Sequence, residues 1–157
     1  AGGATRAAIV GLQDIGTSNI TLVNRTEATA KAMAAHFGVK FVPWEARESI
    51  LKDARLLINS TSLGMAKNAP LELDINHLPT VAIVHDIVYS PLETSLLRNA
   101  RLRGNRVVDG LGMLLYQAQK AFELWHGILP EVTDELRTIV LAQKDALSDP
   151  IQPEKTP

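Results

Sequence analysis

The chain has no cysteine, which excludes disulfides, thiolate catalysis and cysteine metal sites. That absence is compatible with a reducing compartment, and the reading adopted is cytoplasmic. No apolar run approaches the roughly 18 residues of a membrane span, and no basic segment followed by an apolar stretch resembles a signal peptide. A membrane partner is therefore not expected. The charge is nearly balanced, with 16 basic against 17 acidic residues and no long basic run, so nothing in it attracts nucleic acid or an anionic surface. The histidines, His36, His77, His85 and His126, have no metal-ligand spacing, and neither G-x-S-x-G nor H-E-x-x-H occurs. Metal and serine chemistry find no support.

What is present suits one soluble domain: 157 residues, 46% of them apolar and 21% charged, enough to bury a core. Short apolar runs at Ile20 to Val23, Val39 to Val42, Leu56 to Ile58, Val81 to Val84 and Val107-Val108 read as buried strands. Between them lie helical patterns. Gly3 to Ile15 is ended by Gly16; Glu27 to His36 is capped by Thr26 and stopped by Gly38; Glu45 to Lys52 and Thr94 to Arg103 follow. Leu111, Leu114, Leu115, Ala118, Phe122 and Trp125 recur at helical spacing, so Leu111 to His126 is expected as a long helix with its apolar stripe on the sheet. Leu136, Ile139, Val140 and Leu147 mark a last helix, and the proline-rich stretch from Ser148 to Pro157 reads as a mobile tail. The expected division is a domain over 1–147 and a tail over 148–157.

Alternating strands and helices predict an α/β fold, a Rossmann-like doubly wound parallel sheet. Ala1-Gly2-Gly3-Ala4 then falls in a phosphate-binding turn, where glycines let the backbone approach a pyrophosphate and a helix N-terminus adds its positive end. The strand and first glycine that normally precede such a turn are not in the sequence, so the sheet is expected to lack its first, central strand. Two interior edges would then be unpaired, and residues 1–157 alone are expected to be poorly stable or to aggregate.

Sites selective for NAD place Asp or Glu about 20 residues beyond the turn, on the ribose 2′-OH. This chain has Asn24-Arg25-Thr26 there. A guanidinium suits a 2′-phosphate, because it stays charged and donates paired hydrogen bonds, so NADP is the expected cofactor. The other reading makes Arg25 a surface residue and Thr26 a plain helix cap. Asn59-Ser60-Thr61-Ser62-Leu63-Gly64-Met65 and Asp86-Ile87-Val88-Tyr89-Ser90-Pro91 each follow a strand, at the edge where open α/β sheets bind ligands, and each is also an ordinary loop former. Asp86 reads either as a turn cap or as an acid–base group. Met113 and Gln117, four apart after Gly110, share a helix face distinct from the Leu111 stripe. They suit a ring and a polar group, or form a gap-filling Met beside a solvated Gln.

Taken together, these motifs, with Leu92-Glu93-Thr94 and Phe122-Glu123-Leu124-Trp125-His126-Gly127, resemble the cofactor domain of the shikimate dehydrogenases over residues 1 to about 140. That family reduces 3-dehydroshikimate to shikimate with NADPH, in aromatic amino acid biosynthesis. It joins an N-terminal substrate domain to a Rossmann-like cofactor domain. The resemblance implies that Ala1, Gly2, Gly3 and Ala4 hold the pyrophosphate and that Asn24, Arg25 and Thr26 hold the ribose phosphate. Thr61, Ser62, Ile87, Gly110 and Met113 would lie along the cofactor toward the nicotinamide, with Tyr89 and Gln117 reaching the substrate. The family's catalytic lysine and aspartate belong to the substrate domain and match no position here, so this chain alone is expected to be inactive. Two alternatives stay open: a quinate/shikimate dehydrogenase using NAD as well, which Arg25 argues against, and a non-catalytic nucleotide-binding module, which Tyr89 and Gln117 argue against. The oligomeric state is not written in these residues, a homodimer being one option.

Overall fold

The computed structural model describes residues 2–148. Ala1, assigned above to the phosphate turn, and residues 149–157 of the expected tail lie outside the described residues. Within the span expected as one domain, the contacts divide into a unit that ends at Gly110 and a unit that begins at Leu111.

The first unit holds five parallel strands among the described residues: β1 (Thr21–Asn24), β2 (Lys40–Pro43), β3 (Leu56–Asn59), β4 (Ile83–Asp86) and β5 (Arg106–Val108). They form two sheets. β1 pairs with β2, Leu22 opposite Phe41, while β4 lies between β3 and β5, Val84 opposite Leu57 and Val107. No ladder joins β1 to β3 among the described residues, so each keeps one open edge. This is the doubly wound pattern with its centre unpaired, as expected.

Each sheet has its own core. Helix α1 (Gly3–Asp14) contributes Ile9 and α2 (Glu27–Phe37) contributes Ala30, Met33 and Ala34 to a cluster over Leu22 of β1. Helix α3 (Ser95–Leu102) lays Leu96, Leu97 and Ala100 against Val84, with Leu51, Ile75 and Leu78 closing the rim. Small alanines on both helices permit this close approach, and burying the larger aliphatic side chains stabilises each by about 1.5–3 kcal/mol. Gly38 ends α2 in the left-handed region at φ 65°, with its N–H on the Ala34 carbonyl, a conformation that a side chain disfavours.

Several boundaries differ from expectation. Val81 is exposed and the strand starts at Ile83. Thr26 occupies the cap position of α2, but its side chain makes no cap hydrogen bond; Asn24 Nδ2 donates instead to the Thr26 carbonyl at 3.1 Å. No α-helix forms over Glu45 to Lys52. Two single 3₁₀ turns, Trp44–Ala46 and Leu51–Asp53, take its place. The reason is local: Arg47 lies 4.8 Å from the Trp44 ring and donates to the carbonyls of Trp44 and Glu72, while Ser49 Oγ takes the Ala46 carbonyl at 2.7 Å. Those side chains hold the segment in i to i+3 turns.

The second unit contains α4 (Leu111–His126) and α5 (Asp134–Ser148). Gln119 Nε2 reaches back to the Pro130 carbonyl at 2.6 Å, and Thr133 Oγ1 accepts from Leu136 N at the start of α5. The apolar stripe of α4 is less buried than its spacing suggests. Leu111 and Leu115 are buried, whereas Ala118, Phe122 and Trp125 are exposed.

Candidate nucleotide site

In a parallel sheet every strand ends at the same edge, and here those ends carry the polar residues. β1 ends in Asn24, β3 in Asn59 and β4 in Asp86, followed by the loops that begin at Arg25, Ser60 and Ile87. The first turn of α1 belongs to this edge too. Thr5 Oγ1 lies 3.0 Å from Ser60 Oγ and accepts from Gly2 N at 3.4 Å, which ties the glycine turn to the loop after β3. Thr5 is buried, so its hydroxyl satisfies a polar requirement that glycine or alanine could not. Gly2 and Gly3 are exposed, and a Cβ on either would meet no protein atom within 4 Å. Their backbone, and that of Ala4, opens a helix of 12 residues whose first-turn N–H groups suit an anion.

Arg25 is exposed one residue past β1. The following acid, Glu27, pairs with Lys31 at 2.5 Å. On the other sheet, Thr61 Oγ1 donates to Asn59 Oδ1 at 2.7 Å and accepts from Leu63 N at 3.1 Å, so its hydroxyl proton is committed within the loop. Ser62 is exposed beside it. Ile87 continues the strand bonding, its N–H on the Asn59 carbonyl at 3.1 Å. Tyr89, in the same loop, is exposed. Gly110 packs directly on this segment: a Cβ there would stand 2.2 Å from the Ile87 oxygen. Met113 and Gln117 lie on α4 in the second unit, half-buried and exposed respectively.

His85, in mid-strand on β4, has its pKa lowered from the usual 6.5 by burial, offset in part by the negative charges of Asp86 and Asp109. Its Nε2 is buried without a hydrogen-bond partner. Among the described residues no cluster of His, Asp and Glu is built for a metal, and no helix is long and apolar enough to cross a membrane.

Sequence reasoning named Asn59 and Thr94 only within longer motifs, without a role of their own, and left Asp86 between two roles. The signal was present: two polar residues end consecutive buried strands, and the pairing of those strands sets them side by side.

The family described as Shikimate 5'-dehydrogenase C-terminal domain matches residues 110–134. Over 144 residues, 90% of the chain, the sequence is 56% identical to the shikimate dehydrogenase (NADP(+)) of Methylocella silvestris and 49% identical to that of Azorhizobium caulinodans. The chain is similar to the C-terminal half of the shikimate dehydrogenases. It spans about half the length of these relatives, 51% of each. Among solved structures, shikimate 5-dehydrogenase from Thermus thermophilus, in complex with NADP(H) and shikimate, superposes with a TM-score of 0.72 at 38% identity, covering 83% of this chain and 48% of that one. Quinate dehydrogenase from Corynebacterium glutamicum, in complex with NAD, gives a TM-score of 0.82 at 30% identity, covering 90% and 52%. Both likenesses support the Rossmann-like assignment.

Proposed function

We propose that this chain is the cofactor-binding part of an NADP-dependent shikimate dehydrogenase, an oxidoreductase that reduces 3-dehydroshikimate to shikimate in aromatic amino acid biosynthesis. Arg25 carries the choice of cofactor, being a permanent cation one residue beyond β1, where an acidic side chain would select an unphosphorylated ribose. The first turn of α1, from Gly2 to Ala4, receives the pyrophosphate on its N–H groups. Asn24 and Thr26 flank the ribose phosphate, and Thr61, Ser62, Ile87, Gly110 and Met113 are assigned to the cofactor toward its nicotinamide. Tyr89 and Gln117 meet the substrate. The cofactor, when bound, supplies a hydride; the residues of this chain hold it in line with the substrate carbonyl, which needs reacting atoms roughly 3–3.5 Å apart.

The proposal includes a cytoplasmic location and the small molecules shikimate and 3-dehydroshikimate as the partners, with neither nucleic acid nor membrane. A second reading, a quinate/shikimate dehydrogenase that also uses NAD, is favoured by the likeness to the quinate enzyme. One experiment separates the two. Replacing Arg25 with Ala removes charge-assisted hydrogen bonds of about 1.5–3 kcal/mol, so NADP affinity should fall about 10- to 150-fold. NAD affinity should change by less than about threefold on the same arithmetic. Calorimetric titration of both nucleotides reads the ratio, and equal losses would refute the assignment of Arg25 and favour dual use.

A further inference from the structure

Asn59 and Asp86 face each other at the ends of β3 and β4, both buried, Asp86 completely. Asp86 Oδ1 accepts from Asn59 Nδ2 and from Val88 N, each at 3.0 Å. Its Oδ2 accepts from Thr94 Oγ1 at 2.7 Å, and that hydroxyl in turn accepts from Leu97 N at 3.3 Å, capping α3. Asn59 spends its remaining capacity on the neighbouring loop. Nδ2 donates to the Leu63 carbonyl at 3.1 Å, while Oδ1 accepts from Thr61 N at 3.0 Å and Thr61 Oγ1 at 2.7 Å. A backbone bond from Ala66 N to the Ser90 carbonyl, 2.8 Å, closes the same pair of loops farther out. One carboxylate thus gathers the start of both loops and the start of a helix around it.

We propose that Asp86 is a positioning residue for the nicotinamide end of the cofactor, acting through Asn59 and Thr94, and takes no part in acid–base chemistry. The inference rests on the cofactor reading above. All three of its acceptor contacts point into the protein and are short enough to be strong. The loops it orders carry Thr61, Ser62, Ile87 and Tyr89; Arg25 and Thr26 sit on the other sheet and share none of these bonds. Loss of the carboxylate orphans three buried donors, and the loops re-form to satisfy them. The nicotinamide half should loosen while the adenosine phosphate half keeps its site.

The test compares NADPH with 2′,5′-ADP, which carries only the adenosine end, on the whole chain. Asp86→Ala should raise the NADPH dissociation constant by about tenfold or more, as expected for a lost charged hydrogen bond. Binding of 2′,5′-ADP should stay within about twofold on the same scale. Thr94→Val, which removes one donor and leaves the carboxylate in place, should move NADPH in the same direction, and Thr94→Ser should restore it. If Asp86→Ala does not fold, the Thr94 pair decides. Parallel loss of both ligands would overturn the proposal, since a merely destabilised domain loses both, and so would unchanged NADPH binding. Failure of the unsubstituted chain to bind 2′,5′-ADP would overturn the cofactor reading itself, and the role of Asp86 with it.

Discussion

Gly110 and Gly11 should respond to the same substitution with opposite signs. A Cβ at Gly110 would lie 2.2 Å from the Ile87 oxygen, 2.4 Å from its carbonyl carbon and 2.6 Å from the Val88 oxygen. Ordinary contact begins at 3.4 Å, so the worst pair must separate by 3.4 − 2.2 = 1.2 Å. No side chain can rotate away to supply that distance, because all three atoms are backbone. The backbone itself is pinned, Ile87 N to the Asn59 carbonyl and Val88 N to Asp86 Oδ1. Overpacking against a fixed partner costs about 3 kcal/mol. For a chain of this size each kcal/mol moves Tm by about 2–4 °C, so Gly110→Ala should lower it by about 6–12 °C. Gly11 sits inside α1 with nothing within 4 Å of a Cβ. There alanine should add about 0.5–1 kcal/mol through backbone entropy and helix propensity, raising Tm by a few degrees. Thermal unfolding followed by circular dichroism measures both. A Tm for Gly110→Ala within 1 °C or so of the parent, on the same scale, would refute the claim that the segment after β4 cannot yield.

Two further substitutions probe the same edge. Thr5→Ala should destabilise the protein by about 1 kcal/mol, the worth of its hydrogen bond to Ser60, with Thr5→Ser close to the parent; a double-mutant cycle with Ser60→Ala that proves additive would show that the clasp carries no energy. His85 should make stability depend on pH: burial lowers its pKa below 6.5, so the unfolded chain binds the proton more readily. Its contribution is complete above pH 6.5 and is lost as pH falls from there through the depressed folded value. Denaturant titrations between about pH 5 and 7.5 should therefore show a shallower slope for His85→Gln, and an unchanged slope would assign the dependence to other groups.

Much of the architecture was legible because it rests on local pattern. The five apolar runs became strands within a residue or two, and Gly38 stops α2 where its left-handed conformation requires. Thr94 was taken as the first helical residue of α3 and turned out to be its cap, a one-residue shift that frees its hydroxyl for Asp86. The segment from Glu45 to Lys52 misled because helix propensity is weak beside a stacked arginine and two carbonyls that compete for its hydrogen bonds. Exposed Phe122 and Trp125 show the opposite limit: helical spacing gives a face, and does not say how far along the helix that face is covered.

By itself the sequence determined the order of elements, the glycine-rich helix start, the arginine after β1 and the likeness to the shikimate dehydrogenases, because each is carried by residues close together in the chain. Only tertiary structure decided that Thr5 reaches Ser60, that Gly110 presses on Ile87 and that Asp86 joins Asn59 to Thr94. The first two link residues separated by 55 and 23 positions (60 − 5 and 110 − 87), and the pairing of Asn59 with Asp86 spans 27. Such contacts depend on strand register and on the angle at which a helix meets its sheet. Those quantities follow from how the whole core packs, and no local run of residues encodes them.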